Sequence, residues 1–189
     1  SISDIKPVKG RLESIGNIKN NSKVILDYAH TPDALKYILE SIKEQFSHSS
    51  ISIVFGCGGN RDKDKRPIMG KIANQYCNKI FLTDDNPRYE NPKKIRNQIK
   101  KKIVRSKLVE IASRKKAIKV SIENLNSGDI LLVAGRGHEI YQEYRGKKKN
   151  FSDKKYILKE INSKNKKLFK NWKANILNEK CNLSLVNKK

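Results

Sequence analysis

The sequence predicts a layered α/β domain built on a mostly parallel sheet. Short apolar runs typical of strands alternate along the chain with stretches in which apolar residues recur at helical spacing. Several strand-like runs are apolar at nearly every position, which is typical of parallel strands covered on both faces. With 189 residues, 37% of them hydrophobic, the chain has the size for one core.

The first part of the chain predicts two strand–helix pairs. Residues 23–29 form the first predicted strand, and Thr31 is the expected N-cap of the helix after it, with Pro32 in the first turn. That helix has an apolar stripe: Leu35, Ile38, Leu39 and Ile42. Residues 51–54 predict the second strand, and residues 64–77 a helix whose inward face should hold Ile68, Ile72 and Tyr76.

The second part continues the alternation and closes with a hairpin. We expect strands at residues 79–82, at 108–112 and from Asp129 onward. Helices are predicted from Pro92 to about residue 105 and from Ser113 to about residue 125, with stripes formed by Ile95, Ile99 and Ile103 and by Ile118, Ile122 and Leu125. A C-terminal hairpin should turn at Arg145-Gly146, before a last helix from Asp153.

Composition divides the chain into a domain over residues 1–162 and a tail over residues 163–189. The tail has eight lysines, one acidic residue and apolar residues in no sustained period. We expect it to be a weakly ordered or partly helical extension.

The net charge of +23 and the pI of 10.0 are typical of proteins that bind nucleic acid or an anionic membrane surface. However, 33 of the 42 basic residues are lysines spread along the whole chain. We therefore interpret most of the charge as solvated surface and expect no nucleic-acid partner. A basic nucleic-acid-binding α/β module remains the alternative that the charge supports.

The cysteines and the hydropathy of the chain bear on its environment. Three cysteines with no C-x-x-C pair predict neither a disulfide framework nor a zinc site, so we expect a reducing cytoplasm. The longest apolar run, residues 130–134, is too short to span a bilayer, and we expect no membrane partner.

Three blocks that mix glycine or proline with charge follow three predicted strands. They are FGCGGNRDKDKRP at residues 55–67, TDDNPRYENP at residues 83–92 and AGRGHE at residues 134–139. Carboxyl ends of parallel strands form ligand crevices, so these blocks should meet. Arg88 offers a planar fork for a carboxylate, and Asp85 can accept from an ammonium group. The pattern favours a site for a zwitterion; for residues 83–92 taken alone, a capped turn before the next helix remains open.

Five motifs in this order resemble those of Mur ligase C-terminal domains. They are GRLE (10–13), DYAHTPDAL (27–35), FGCGGNRDKDKRPIMG (55–70), TDDNPR (83–88) and AGRGHEIYQ (134–142). The resemblance covers residues 10–153 and departs from the family pattern at Asn60, Asp64 and Arg136. It implies a three-layer Rossmann-like domain of an ATP-dependent acid–amino-acid ligase. More narrowly, the chain resembles the members that add meso-diaminopimelate to UDP-N-acetylmuramoyl-L-alanyl-D-glutamate in peptidoglycan precursor synthesis.

The resemblance also assigns roles to individual residues. Those that match diaminopimelate-binding positions are Arg61, Asp85, Asn86, Pro87, Arg88, Gly135 and Glu139. On the ATP side, Arg11 matches a γ-phosphate contact, while Asp27 and His30 match the ribose and adenine side. For Arg11 an exposed linker charge is the alternative, and for Asp27 a strand-end residue that hydrogen-bonds the local backbone.

In this family ATP and magnesium are held mainly by a central domain, whose phosphate loop is not found in these 189 residues. We therefore expect this chain to match the third domain, to hold no catalytic residue, metal ion or cofactor by itself, and to be inactive without its N-terminal and central partner domains. Other Mur-type ligases, such as the lysine-adding form, and folylpolyglutamate synthases are the enzymatic alternatives.

Overall fold

The computed structural model describes residues 10–186, with side chains described as far as residue 175. Six strands form one sheet in the order β1-β2-β6-β3-β4-β5, in which β1 is antiparallel to β2 and the other pairs are parallel. The strands of this sheet are β1 (Glu13–Ser14), β2 (Lys23–Asp27), β3 (Ile51–Phe55), β4 (Lys79–Leu82), β5 (Leu108–Glu110) and β6 (Ile130–Ala134).

The remaining elements are a hairpin and five helices. The hairpin pairs β7 (Tyr141–Tyr144) with β8 (Lys147–Asn150), so it turns at Arg145-Gly146 as predicted. The helices are α1 (Pro32–Gln45), α2 (Lys65–Tyr76), α3 (Pro92–Lys100), α4 (Arg114–Glu123) and α5 (Asp153–Val186). Among the described helices, none has the length and apolar character needed to cross a membrane.

The sheet lies between two helical layers, each with its own core. Alternate residues of a strand point to opposite faces, so Ile130 and Leu132 of β6 contribute to one core while Leu131 and Val133 contribute to the other. Helices α1, α2 and α3 cover the first face, and α4 and α5 cover the second. The predicted three-layer α/β architecture with a mostly parallel sheet and a C-terminal hairpin is confirmed.

The N-terminus of α1 follows from its first residues. The hydroxyl of Thr31 accepts a hydrogen bond from the amide of Ala34, and Pro32 occupies the first turn, where its missing N–H has no helical partner to lose. The predicted apolar stripe is buried: Leu35, Ile38, Leu39 and Ile42. The loop before α1 is thereby fixed at the carboxyl end of β2.

The inward face of α2 agrees with the prediction in part. Ile72 and Tyr76 are partly buried and pack against the core, but Ile68 is 49% exposed, and the buried residues of the helix are Arg66, Met69, Gly70 and Ala73. Two close contacts explain the rotation. A Cβ atom at position 70 would lie 2.1 Å from the carbonyl oxygen of Ile99, so glycine lets α2 approach α3, while Arg66 turns inward to an ion pair.

Two further differences concern lengths. Helix α3 ends at Lys100, about five residues before the predicted end, and Ile103 packs against the core from the segment that follows. Strand β1, which was not predicted, adds two residues of the GRLE motif region to the sheet edge.

Helix α5 extends beyond the domain boundary predicted at residue 162. Its backbone is helical to Val186, so the part of the tail that the structure describes is helical. Its buried Lys164 donates hydrogen bonds to the carbonyl oxygens of Glu123 and Leu125, which joins the start of the tail to α4. The division into a domain and a separate tail stays a prediction, and residues 1–9 and 187–189 lie outside the described range.

Candidate functional site

A pocket of about 460 Å³ opens at the carboxyl ends of β6, β3 and β4, which are neighbours in the sheet. Six of the seven predicted substrate-binding residues line it: Arg61, Asp85, Asn86, Arg88, Gly135 and Glu139. His30, predicted on the ATP side, lines the same pocket. The structure therefore brings the three motif blocks together, as the strand-end pattern predicts.

Two guanidinium groups flank a glycine on one wall of the pocket. A Cβ atom at Gly58 would lie 2.9 Å from Nη1 of Arg88 and 3.8 Å from Cγ of Arg61. Glycine at this position therefore leaves room for both arginines. One donor of Arg88 is engaged by the protein, since its Nη1 donates to the carbonyl oxygen of Gly59 at 2.9 Å.

The backbone of Arg88 adopts the left-handed conformation, with φ of 50°. The hairpin holds it there: the amide of Arg88 donates to the carbonyl oxygen of Glu143, and the amide of Arg145 donates to the carbonyl oxygen of Arg88. The carboxylate of Glu143 also lies 3.8 Å from Nε of Arg88. These contacts fix the direction in which the guanidinium leaves the chain.

Two carboxylates belong to the same pocket. Asp85 is 8% exposed, and its Oδ1 accepts from the amide of Asn86 at 2.6 Å. Its Oδ2 lies on the side of Gly135, because a Cβ atom there would be 3.1 Å from it. Glu139 uses one oxygen, Oε2, to accept from Nδ2 of Asn86 at 2.9 Å. Within the described part of the chain, the second oxygen of each carboxylate, Oδ2 of Asp85 and Oε1 of Glu139, accepts no hydrogen bond.

Asn86 links these groups to the interior. Its Oδ1 accepts from Nη1 of Arg136 at 2.8 Å and from the amide of Glu143 at 2.9 Å. Arg136 is fully buried and also lies 3.4 Å from Oε2 of Glu139. With both ends of the amide occupied, Asn86 orients Glu139 and connects the loop after β4 to the hairpin.

A residue of β7 hydrogen-bonds the backbone of the loop after β4. The buried side-chain amide of Gln142 donates to the carbonyl oxygens of Asp84 at 3.2 Å and of Asp85 at 2.6 Å. Because the hairpin contacts the backbone of residues 84–88 at several points, it determines the position of Asp85 and Arg88 together.

A second brace joins the loops after β3 and β4. The fully buried guanidinium of Arg66 makes two parallel hydrogen bonds of 2.9 Å to the carboxylate of Glu90 and a third of 3.0 Å to the carbonyl oxygen of Gly58. The hydrogen bonds from Arg66 hold the pKa of Glu90 down at about 2. The ion pair between Arg66 and Glu90 therefore holds the backbone of Gly58, which forms part of the pocket wall.

Cys57 and Pro87 pack within the protein, Cys57 as a buried thiol and Pro87 through its backbone. Burial, with a contribution from Asp85, raises the pKa of the Cys57 thiol to about 12, so this pocket residue is a neutral thiol at neutral pH. Pro87 does not line the pocket. Its carbonyl oxygen would lie 1.9 Å from a Cβ atom at Gly59, so the two loops touch here through backbone.

The residues predicted on the ATP side lie around the loop after β2. Both oxygens of Asp27 accept from backbone amides, Oδ2 from Leu12 at 2.7 Å and Oδ1 from Ala29 at 2.5 Å. This geometry favours the interpretation of Asp27 as a strand-end residue that anchors local backbone. Arg11 is exposed and its guanidinium lies 5.1 Å from the ring centroid of Tyr28, which also contacts the His30 ring.

Comparison with known proteins shows the family of the chain. The family model for the Mur ligase glutamate ligase domain matches residues 10–137. The chain belongs to the Mur ligase family.

Two curated relatives of this Mur ligase chain and one solved structure carry the same name. The UDP-N-acetylmuramoyl-L-alanyl-D-glutamate--2,6-diaminopimelate ligase of Rickettsia felis is 48% identical over 84% of the chain and 29% of its own length. The ligase of the same name from Chlorobaculum tepidum is 44% identical over 83% of the chain and 31% of its own length. A solved structure of a ligase of this name matches with a TM-score of 0.76 and 39% identity, over 84% of the chain and 32% of its own.

The Mur ligase chain therefore spans about a third of the relatives it matches, in their C-terminal domain. The chain also shares its fold with a folylpolyglutamate synthase/dihydrofolate synthase from Yersinia pestis, at a TM-score of 0.54 and 16% identity.

Several residues of the site were not predicted from sequence. Thr31, Asp62 and Lys65 line the pocket, and Arg66, Glu90, Gln142 and Glu143 hold its walls. The first group lies within the quoted motifs, so proximity to the predicted residues was an available signal. Glu90 lies within the block at residues 83–92, and Glu143 directly follows the AGRGHEIYQ motif. Only the folded contacts distinguish the two from surface acids.

Proposed function

We propose that this chain is the amino-acid-binding domain of a ligase that adds meso-diaminopimelate to UDP-N-acetylmuramoyl-L-alanyl-D-glutamate, using ATP. The observation that carries the proposal is one pocket in which the guanidinium-bearing residues Arg61 and Arg88 occur together with the carboxylates of Asp85 and Glu139. Such a pocket offers complementary charge to a molecule with carboxylate and ammonium groups at both ends.

The division of labour within the pocket follows from the contacts. Arg88 has donors left after its bond to Gly59, so it is suited to a carboxylate of the ligand. Asp85 and Glu139 each have an oxygen suited to an ammonium group, and Gly135 lines the same pocket. We assign this group of residues to the distal amino acid centre of diaminopimelate. Lysine has no carboxylate there, and Arg88 would remain without its ligand partner.

In a complete ligase the domain would hold the amine that attacks the activated D-glutamate carboxylate. Positioning of the amine lowers the barrier because a bimolecular step becomes effectively unimolecular. ATP and magnesium would be held by the central domain, with Arg11 reaching the γ-phosphate and His30 near the nucleoside. We propose the cytoplasm as the location, since the nucleotide substrates that such ligases use are found there.

Isothermal titration calorimetry of the 189-residue chain with meso-diaminopimelate and with lysine tests the proposal. We expect meso-diaminopimelate to bind and lysine to bind about tenfold more weakly or worse, which is the range for one charge-assisted hydrogen-bonded pair. Arg88→Ala should remove the preference. Arg105→Ala is the control, because Arg105 is an exposed arginine outside the residues that line the pocket.

Equal affinity of the wild-type chain for the two amino acids would overturn the assignment of Arg88. Loss of the preference in Arg105→Ala would show that charge alone, and not the pocket, is responsible. In the complete ligase, Arg11→Ala should raise the KM for ATP and leave the KM for the amino acid unchanged; a change confined to the amino acid would contradict the ATP-side role.

A further inference from the structure

The apolar stripe of α5 continues beyond the domain that covers its first half. Ile157 and Ile161 are buried against the sheet, and Leu168 is partly buried in the same core. One turn further along this face, Trp172 is 58% exposed, and Phe169 beside it is 41% exposed. The two rings stack on each other, with centroids 5.9 Å apart.

Lysines surround this aromatic pair. Residues 163–175 contain five lysines and no acidic residue. The ammonium groups of Lys19 and Lys173 lie 5.0 and 4.9 Å from the centroid of the Phe169 ring. Lys166 and Lys170 are exposed. In the sequence, the spacing that leads from Leu168 to Trp172 continues with aliphatic residues at positions 176 and 183.

We propose that the distal half of α5 docks on an anionic lipid surface. A helix with tryptophan and phenylalanine on one face and lysines around it has the composition of helices that lie in the membrane interface. The aromatic pair would enter the headgroup region, where an apolar ring with a polar edge is favoured, and the lysines would contact anionic headgroups. This docking needs no spanning segment, and it adds a membrane partner where the apolar run lengths gave no reason to expect one.

The charges decide between a lipid surface and a second copy of the chain. Lys164 is buried and Lys167 pairs with Glu123, which leaves Lys166, Lys170 and Lys173 exposed on this half of the helix. Two such helices packed face to face would bring six of these lysines together, whereas an anionic bilayer attracts each of them. A nucleic acid would also attract the lysines, but the two rings stack on each other and Phe169 already has ammonium groups against it, which leaves less ring surface for bases.

Trp172 provides its own reporter, because it is the only tryptophan of the chain. Vesicles of phosphatidylcholine with phosphatidylglycerol, added to the 189-residue chain, should shift the emission to shorter wavelength, and brominated lipid should quench it. Phosphatidylcholine vesicles alone should produce a much smaller change. Phe169→Ser, which keeps the reporter, should weaken the partitioning several-fold.

A charge-matched pair of variants tests the location. Lys166→Glu/Lys170→Glu/Lys173→Glu should lower the partition coefficient by about a hundredfold or more, given an attraction of about 1 kcal/mol per lysine near the surface. The control, Lys115→Glu/Lys116→Glu/Lys119→Glu on α4, has the same net charge and should bind as the wild type does. Co-sedimentation with vesicles provides a second measurement that does not depend on fluorescence.

Three results would overturn the proposal. Unchanged emission in the presence of anionic vesicles is the first, and equal weakening by the two triple variants is the second. The third is a shift produced by an oligonucleotide, or by raising the protein concentration, in place of the lipid. None of these depends on diaminopimelate binding, so they leave the ligase assignment untouched.

Discussion

The left-handed backbone of Arg88 makes a prediction that separates stability from binding. At φ of 50° a residue with a Cβ atom is strained by about 1–2 kcal/mol, and glycine is not. Glycine loses about 0.5–1 kcal/mol more conformational entropy on folding than alanine does. Arg88→Gly should therefore be more stable than Arg88→Ala by about 0.5–1 kcal/mol, because the two variants lose the same hydrogen bond to Gly59.

The order of stability should reverse at an ordinary helical position. Lys159 is exposed in α5, and there the glycine variant should be less stable than the alanine variant by about 1 kcal/mol. Urea unfolding of the four variants measures both differences, and thermal midpoints should differ by roughly 1–4 °C for a chain of this length.

Binding should not follow stability in this series. Neither Arg88→Gly nor Arg88→Ala retains a guanidinium group, so both should lose the preference for meso-diaminopimelate over lysine to the same degree. If alanine were the more stable variant at position 88 as well as at 159, the strain assigned to the loop would be wrong. If the glycine variant kept the preference, the binding role of Arg88 would be refuted.

Two further predictions concern buried charge. Asp153→Asn should destabilise the chain by about 3–5 kcal/mol in urea unfolding, because it leaves the fully buried guanidinium of Arg114 without its carboxylate, whereas Lys154→Ala, in an exposed ion pair, should cost less than about 1 kcal/mol. A loss below 1 kcal/mol for Asp153→Asn would contradict this reasoning. Glu90 has a folded pKa of about 2 against an ordinary value of 4.5, so its stabilisation is present above pH 4.5 and is lost as the pH falls towards 2. The stability difference between wild type and Glu90→Gln should therefore be largest near neutral pH and shrink below pH 4.5; a difference independent of pH would show that the charge of Glu90 is not responsible.

Much of the fold could be predicted because local signals agreed with the final packing. The N-cap at Thr31, the strand at residues 79–82 and the turn at Arg145-Gly146 are each encoded by residues adjacent in the chain. For the inward face of α2, the prediction was wrong at Ile68 for the opposite reason. Isoleucine spacing favoured Ile68, but a contact with α3 and an ion pair with the loop after β4 decided the rotation, and neither partner is local.

In the candidate site, too, the features set by local sequence could be predicted and those set by distant contacts could not. The strand-end blocks indicated which side chains would meet, because carboxyl ends of neighbouring parallel strands share an edge. What orients those side chains could not be predicted: the hairpin residues Gln142 and Glu143 reach the loop after β4 across more than fifty positions of sequence. Their identities, glutamine and glutamate in a short strand, are ordinary for a solvent-facing hairpin.

Burial also explains why the large positive charge says less about function than its size suggests. Three arginines are fully buried, and each forms one ion pair: Arg66 with Glu90, Arg114 with Asp153 and Arg136 with Glu139. A planar, permanently charged group that makes parallel hydrogen bonds fits such sites better than a flexible ammonium does. Among the described side chains, the only buried lysine is Lys164. The arginines therefore hold the pocket and the core together, and the lysines form the solvated surface, so the positions of the charges, and not their sum, carry the information about partners.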